Sequence, residues 1–187
     1  MVLRLLGFAA VIGLWIVTAL PAAAEDPGAY MLNRGDTVEI NVWREDTLAK
    51  QLTILPDGSF SFPLIGRVEA AGRSVTDIEG EVTERLKPYI SDPVVTVSVI
   101  GIDGNRIYVI GKVRQPGPMV LQKPTSVMQA LSIAGGFDKF ADTNSIKILR
   151  SGAEGQKLIP FNYDFVADGS DLSMNITMQA GDVIVVP

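Results

Sequence analysis

The sequence predicts an α+β fold in two small modules. Three observations carry this. Apolar residues alternate with polar ones in several short runs, as in half-buried strands. The period changes twice to three and four residues, as on one face of a helix. A polar, glycine-rich break at Gly101-Ile102-Asp103-Gly104-Asn105 separates a strands–helix–strand order from a hairpin–helix–strands order. Each helix carries a single apolar stripe and must cover a sheet face, which is the α+β arrangement.

The elements follow in chain order. Residues 1–24 hold one charge, Arg4, then an apolar run from Leu5 to Leu20, then Pro21 and Ala22-Ala23-Ala24. A basic start, an apolar stretch and small residues before Glu25-Asp26 predict a secretory signal peptide cleaved after Ala24. The rival is an uncleaved anchor, since the run is just long enough to span a bilayer. Pro21 and the three alanines favour cleavage.

Thr37 to Trp43 alternates strictly, with Val38, Ile40 and Val42 on one face, and follows the turn residues Asn33-Arg34-Gly35-Asp36. Gln51–Leu55 and Ser59–Phe62 flank Pro56-Asp57-Gly58 and are expected to pair as a hairpin, because proline fixes one turn angle, aspartate caps and glycine accepts positive φ. Pro63-Leu64-Ile65-Gly66 ends that strand, and residues 67–70 form another short extended piece. Val75, Ile78, Val82 and Leu86 mark a helix. Ser74 and Asp77 are its capping pair, Glu81 and Arg85 have ion-pair spacing, and Pro88 marks its end. Val94–Ile100 is a β-branched strand.

The second module starts with a strand at Arg106–Gly111. Pro116-Gly117-Pro118 turns the chain and Met119-Val120-Leu121 returns it. A helix begins after Pro124-Thr125-Ser126, with Ser126 and Gln129 as a capping box and Val127, Ala130, Leu131 and Ala134 facing inward. Gly135-Gly136 stops it. Strands near Ser145–Leu149, Lys157–Phe161 and Val183–Val186 complete the module. Gly35-Asp36-Thr37-Val38 and Gly181-Asp182-Val183-Ile184 echo one another, but Gly-Asp before a strand is common turn chemistry and makes no repeat.

Composition narrows the function. The chain has 187 residues, 47% of them hydrophobic, which suits one large or two small packed domains. With 21 acidic and 16 basic side chains its formal charge is -5. It lacks the basic face that nucleic-acid binding requires. It has no cysteine and no histidine, which removes thiolate chemistry, disulfides and the commonest general base and metal ligand. The aspartates Asp36, Asp57, Asp92, Asp103, Asp138 and Asp182 sit in turns, where capping explains them. No nucleophile elbow, phosphate loop or calcium loop is present. No catalytic, cofactor-binding or metal-binding residue is therefore assigned, and the chain is read as a non-enzyme. Trp43, Tyr89, Tyr108, Phe137, Phe140 and Tyr163 are candidate sugar-stacking rings, with packing in the core or between modules the favoured role for each.

The order of motifs is informative. Tyr30-x-Leu32-x-x-Gly35-Asp36-x-Val38-x-Ile40-x-Val42 is followed by Pro56-Asp57-Gly58, Phe62-Pro63-Leu64-Ile65-Gly66, a helix ending near Tyr89, and Pro93-Val94-Val95-x-Val97. This series resembles the export domain of Wza-like outer-membrane polysaccharide export proteins, the OPX family. Val109-Ile110-Gly111-x-Val113-x-x-Pro116-Gly117, then Ala130-Leu131, Ala134-Gly135-Gly136-Phe137 and the closing Gly181-Asp182-Val183-Ile184-Val185-Val186-Pro187 resemble the family's SLBB domain, a β-grasp fold. The expected division is 1–24 signal peptide, 25–104 polysaccharide export domain and 105–187 SLBB domain.

The resemblance implies a periplasmic component of a capsule or exopolysaccharide export conduit, associated with the outer membrane. It implies a ring of identical subunits, a polysaccharide as cargo, and an inner-membrane polysaccharide co-polymerase as partner. Longer relatives carry a lipidated cysteine and a C-terminal amphipathic helix. The chain shows neither, so a separate outer-membrane barrel is expected to complete the path. Gly35, Asp36, Pro56, Asp57, Gly58, Gly111, Pro116, Gly117, Gly135 and Gly136 are the motif residues, with structural roles in turns and close approaches. The alternative is a periplasmic glycan- or small-ligand-binding β-grasp module without a transport role. A glycan-modifying enzyme using two carboxylates is the third possibility.

Overall fold

The computed structural model of the protein describes residues 29–152 and 155–187. The expected signal peptide lies outside the described residues. Among those described, no helix is long and apolar enough to cross a membrane.

The first module holds β1 (Thr37–Val42), β2 (Lys50–Thr53), β3 (Ser59–Phe62), β4 (Gly66–Glu69), helix α1 (Val75–Leu86) and β5 (Val95–Gly101). β1 is the centre of an antiparallel sheet in the order β2-β1-β5. Its alternation sends Val38, Ile40 and Val42 inward, where they meet Phe60, Phe62 and Val68 of β3 and β4 and Ile78, Val82 and Leu86 of α1. Each such burial stabilises by about 1.5–3 kcal/mol, so α1 is held by its stripe more than by its own propensity. Ser74 and Asp77 form the full capping box. Glu81 binds both Arg73 and Arg85, the latter at 2.8 Å.

The hairpin expected between Gln51–Leu55 and Ser59–Phe62 does not form. β2 pairs with β1, and β3 pairs with β4, Ser59 opposite Glu69 and Phe62 opposite Gly66. The turn itself exists, since Gly58 N–H donates to Leu55 O at 2.8 Å. The ladder stops there because its backbone groups are used elsewhere. Ile54 N–H donates to Asp36 O, and Gly58 O accepts from Ala70 and Ala71.

The second module holds β6 (Arg106–Gly111), β7 (Gly117–Val120), α2 (Val127–Ile133), β8 (Ile146–Gly152), β9 (Gly155–Phe161), α3 (Tyr163–Ala167) and β10 (Val183–Val186). Its sheet runs β7-β6-β10-β8-β9. β10 inserts parallel to β6 and antiparallel to β8, so the first and last strands of the module are its central pair. This order, with one helix crossing one face, is the β-grasp arrangement. Ile107, Val109, Ile148 and Ile184 pack beneath Val127, Ala130 and Leu131 of α2. The Ser126–Gln129 capping box is present. Gly117 and Pro118, expected in the turn, already belong to β7, opposite Val109 and Tyr108. Helix α3, with Asn162 as its cap, was not visible in the sequence because five residues are too few to display a period.

The modules meet where β5 gives way to β6. Gly104 N–H donates to Asp36 Oδ1 at 2.9 Å. A Cβ on Gly104 would lie 2.2 Å from Arg34 O and 2.8 Å from Asp36 Oδ1. Gly104→Ala is therefore expected to lower unfolding free energy by about 1–3 kcal/mol. Gly101→Ala, whose added carbon meets nothing closer than 3.4 Å, should change it by less than about 1 kcal/mol. Urea unfolding of both variants checks this, and equal losses would contradict the packing at the joint.

Candidate functional site

Two Gly-Asp turns organise the region between the modules. Asp36 and Asp182 are 0% and 1% exposed. The turns are built alike. Asp36 N–H donates to Asn33 O and Asp182 N–H to Gln179 O, each at 3.1 Å. The carboxylates accept from Asn33 N–H at 2.7 Å and Gln179 N–H at 2.8 Å. Gly35 and Gly181 precede them with φ of 92° and 86°. The sequence echo is thus one turn geometry used twice.

The two carboxylates are completed differently. Asp36 accepts from Tyr30 Oη at 2.7 Å and from Gly104 N–H. Asn33 Nδ2 in turn donates to Tyr30 Oη at 3.1 Å. Burial, reinforced by Asp36, raises the Tyr30 pKa well above its ordinary value. Asp182 takes a two-point contact from Arg150 of β8, Nε at 2.9 Å and Nη2 at 2.7 Å. Arg150 had no signal in the sequence, because only sheet register brings it to a residue in a distant turn.

Between the turns lies a cleft of about 570 Å³, lined in part by Tyr30, Asn33, Asn105, Gln122, Lys123 and Gln179. Its volume is in the range of small-ligand sites, and its amides can both donate to and accept from hydroxyl groups.

The other motif residues lie elsewhere. Pro56, Asp57 and Gly58 form the turn before β3. Asp57 accepts from Ser59 Oγ at 2.8 Å and Ser59 N–H at 3.0 Å, and pairs with Arg67 at 3.1 Å. The Ser59 hydroxyl, more than the arginine, holds its carboxyl below the usual range. Gly111, Pro116 and Gly117 bound the β6–β7 connection, which rests on the Gly135-Gly136 stop of α2. There Arg114 N–H donates to Gly136 O at 3.1 Å and Gln115 N–H to Ala134 O at 2.9 Å. Gly111 combines a φ of 95° with a virtual Cβ only 1.9 Å from Val186 O, so no other residue fits where β6 and β10 end together. The ten motif residues therefore form three groups rather than one site. Among the described residues, no three acidic side chains gather as a metal site.

Four of the six candidate aromatic residues are not packed as expected. Trp43, Tyr89, Tyr108 and Phe140 are exposed. Phe137 and Tyr163 do pack, edge to face at 5.0 Å, against the second core. Tyr108 belongs to a wider feature. Among the described residues no element covers the sheet face opposite α2, and its register aligns Pro118, Tyr108, Val183, Leu149 and Leu158 in one apolar row across all five strands. Ile110 and Val185 extend it. The outer face of the first sheet is polar instead. Glu39 lies between Gln51 and Ser98, and Asn41 lies beside Thr96.

Comparison with known proteins follows the same division. Residues 24–100 match the profile of polysaccharide biosynthesis/export proteins, and residues 105–186 match the SLBB domain. The EPS I polysaccharide export outer membrane protein EpsA of Ralstonia solanacearum is 30% identical over 129 residues, 68% of this chain and 33% of that protein. The polysialic acid transport protein KpsD of Escherichia coli is 29% identical over 159 residues, 84% of this chain and 28% of that protein. The chain thus matches about a third or less of the length of these relatives.

The Asp36 cluster generates a test. Tyr30→Phe removes a donor to a buried carboxylate and should cost about 1–3 kcal/mol. The sign with pH also follows. A phenol whose folded pKa is raised stabilises the fold below its unfolded pKa, near 10, and that contribution is lost as pH rises above it. The gap between wild type and Tyr30→Phe in chemical unfolding should therefore narrow above about pH 10. A gap that is constant through the alkaline range would contradict this role.

Proposed function

The chain belongs to the polysaccharide export (OPX) family, in a form with one SLBB domain, and on that premise we propose that it is a periplasmic component of a capsule or exopolysaccharide export conduit. The family is one of export proteins and not of enzymes. The proposed division is an export domain at 25–104 and an SLBB domain at 105–187, with residues 1–24 directing secretion. The ten motif residues are proposed to act structurally at the joint, the first turn and the β6–β7 connection, the glycines and prolines through backbone shape and Asp36 and Asp57 through their carboxylates.

The observation that carries the reading is the succession of the export profile and the SLBB profile along residues 24–186. The apolar row on the open β-grasp face supports the assembly it requires. Apolar surface spanning a whole sheet marks a protein contact, and a second copy of the chain is the occupant a ring supplies. The proposed partners at the ends of the path are an inner-membrane polysaccharide co-polymerase and a separate outer-membrane barrel. A conduit needs shape and weak repeated contacts, so no catalytic group is required of it. The amide-lined junction cleft favours one second reading, a glycan-binding module without transport; a stoichiometric complex of a monomer with an oligosaccharide would mark it.

Deleting the gene is expected to abolish extracellular polysaccharide while short chains or precursors accumulate in the cell, and restoring it should reverse both. Unchanged pools, with no second copy of the gene, would refute the export reading. Tyr108→Asp combined with Leu149→Asp should shift the purified protein from a multimer towards monomer in sedimentation without unfolding it. A wild-type protein that sediments only as a monomer would refute assembly through this face.

A further inference from the structure

We propose that the cleft around Trp43 is a saccharide-contact site that stacks one pyranose unit of the polymer; this deepens the export reading and rests on it. Trp43 directly follows β1 and continues its alternation, so its side chain stands on the polar outer face with Glu39 and Asn41. It is 70% exposed. A tryptophan this open is not explained by the core of its own module, all of which lies on the other face of β1. Beside it is a cleft of about 400 Å³, lined by Asn41, Arg44, Asp46 and Thr96 together with Val42, Val94 and the ring itself.

The lining has the chemistry a sugar requires. An indole face offers a flat apolar surface to the C–H face of a pyranose, with an N–H at its rim. The amide, hydroxyl, carboxylate and guanidinium around it supply donors and acceptors for ring hydroxyls. The polar groups continue along the sheet, Asn41 opposite Thr96, then Glu39 flanked by Ser98 and Gln51. The indole therefore ends a polar track rather than standing alone.

The backbone adds an independent sign. Trp43 N–H donates to Val94 O at 2.9 Å, and Glu45 N–H closes a turn on Val42 O at 3.0 Å. Arg44 occupies the third position of that turn with a φ of 65°. Turns of this kind ordinarily take glycine or asparagine there. Strained non-glycine residues concentrate where function holds them. Here the strained residue turns the chain immediately after the tryptophan and is itself part of the cleft lining.

The test uses the full chain carrying Trp15→Phe, which leaves Trp43 as the only one of the chain's 2 tryptophans. The probe is the host's own exopolysaccharide cut to oligosaccharides, titrated by indole fluorescence and by calorimetry. Saturable change in Trp43 emission is expected. Trp43→Ala should weaken binding at least about tenfold, Trp43→Phe should recover part of it, and Asn41→Ala or Thr96→Val should weaken it a few-fold, on the scale of lost stacking and single hydrogen bonds. Arg44→Gly should raise the unfolding temperature while weakening binding. The site is overturned if Trp43→Ala binds as wild type does, if binding saturates with Trp43 emission unchanged, if Arg44→Gly loses no affinity, or if wild type binds nothing. The gene deletion separates this from the export reading. Export restored by a protein that binds no oligosaccharide removes the site alone. Binding at Trp43 with export unaffected by the deletion keeps the site and removes the conduit.

Discussion

A buried carboxylate is tolerated only when donors replace the water it gives up, and that requirement at Asp36 shapes the whole joint. Its oxygens collect Asn33 N–H, Tyr30 Oη and Gly104 N–H. The first contact closes the turn that starts β1, the second draws in the segment before it, and the third draws in the segment that leads to β6. A single side chain thereby fixes where the central strand of one module begins and where the other module hangs. The donor at position 104 must come from backbone pressed against Arg34 O, which explains a glycine there better than flexibility does. Asp182 repeats the device at β10, the strand that completes the second sheet, with Arg150 supplying a cation in place of the phenol.

The two modules solve the same packing problem with opposite surfaces. Each covers one sheet face with a helix and, among the described residues, leaves the other open. In the first module the open face carries Glu39, Asn41, Gln51, Thr96 and Ser98, groups content in water. In the second it carries an apolar row through all five strands. Strand periodicity lets one chain specify both, since successive side chains point to opposite faces. The hydrophobic cost of an open apolar row is relieved by association, whereas a polar track is best served by remaining wet. In the proposed conduit this separates the tasks, with the β-grasp sheet joining subunits and the export-domain sheet meeting polymer.

Local signals were legible in the sequence and long-range ones were not. The alternation of Thr37–Val42, the stripe Val75-Ile78-Val82-Leu86 and the capping boxes at Ser74 and Ser126 are all encoded within a few residues, and the structure places them as expected. Alternation identifies a strand but is silent about its neighbour, so the Pro56-Asp57-Gly58 turn predicts a hairpin whereas β2 and β3 have different partners. The motif series and the two-module α+β order were readable; the meeting of Asp36 with Gly104, and of Asp182 with Arg150, was not, because register and crossover set both. Trp43 differs from these, because its face is a local signal: parity counted from Val38, Ile40 and Val42 puts it on the outer face, and the general preference for burying a ring points the other way.

That parity also bears on how such a protein could handle a long polymer. A deep pocket gives tight binding, and tight binding at every subunit would hold the chain in place. Trp43 and its neighbours form a shallow cleft on an open sheet, and the junction cleft mixes four amides and one lysine with Tyr30, Thr177 and apolar side chains. Stacking of this kind is worth about 1.5 kcal/mol and a single hydrogen bond about 1 kcal/mol. Repeated around a ring they would add enough to guide a sugar polymer, while any one of them breaks readily. Rigidity is then more useful than affinity, and it is where the sequence places its uncommon residues: two buried aspartates, two glycines without room for a methyl group, and an arginine in a turn position that ordinarily takes glycine or asparagine.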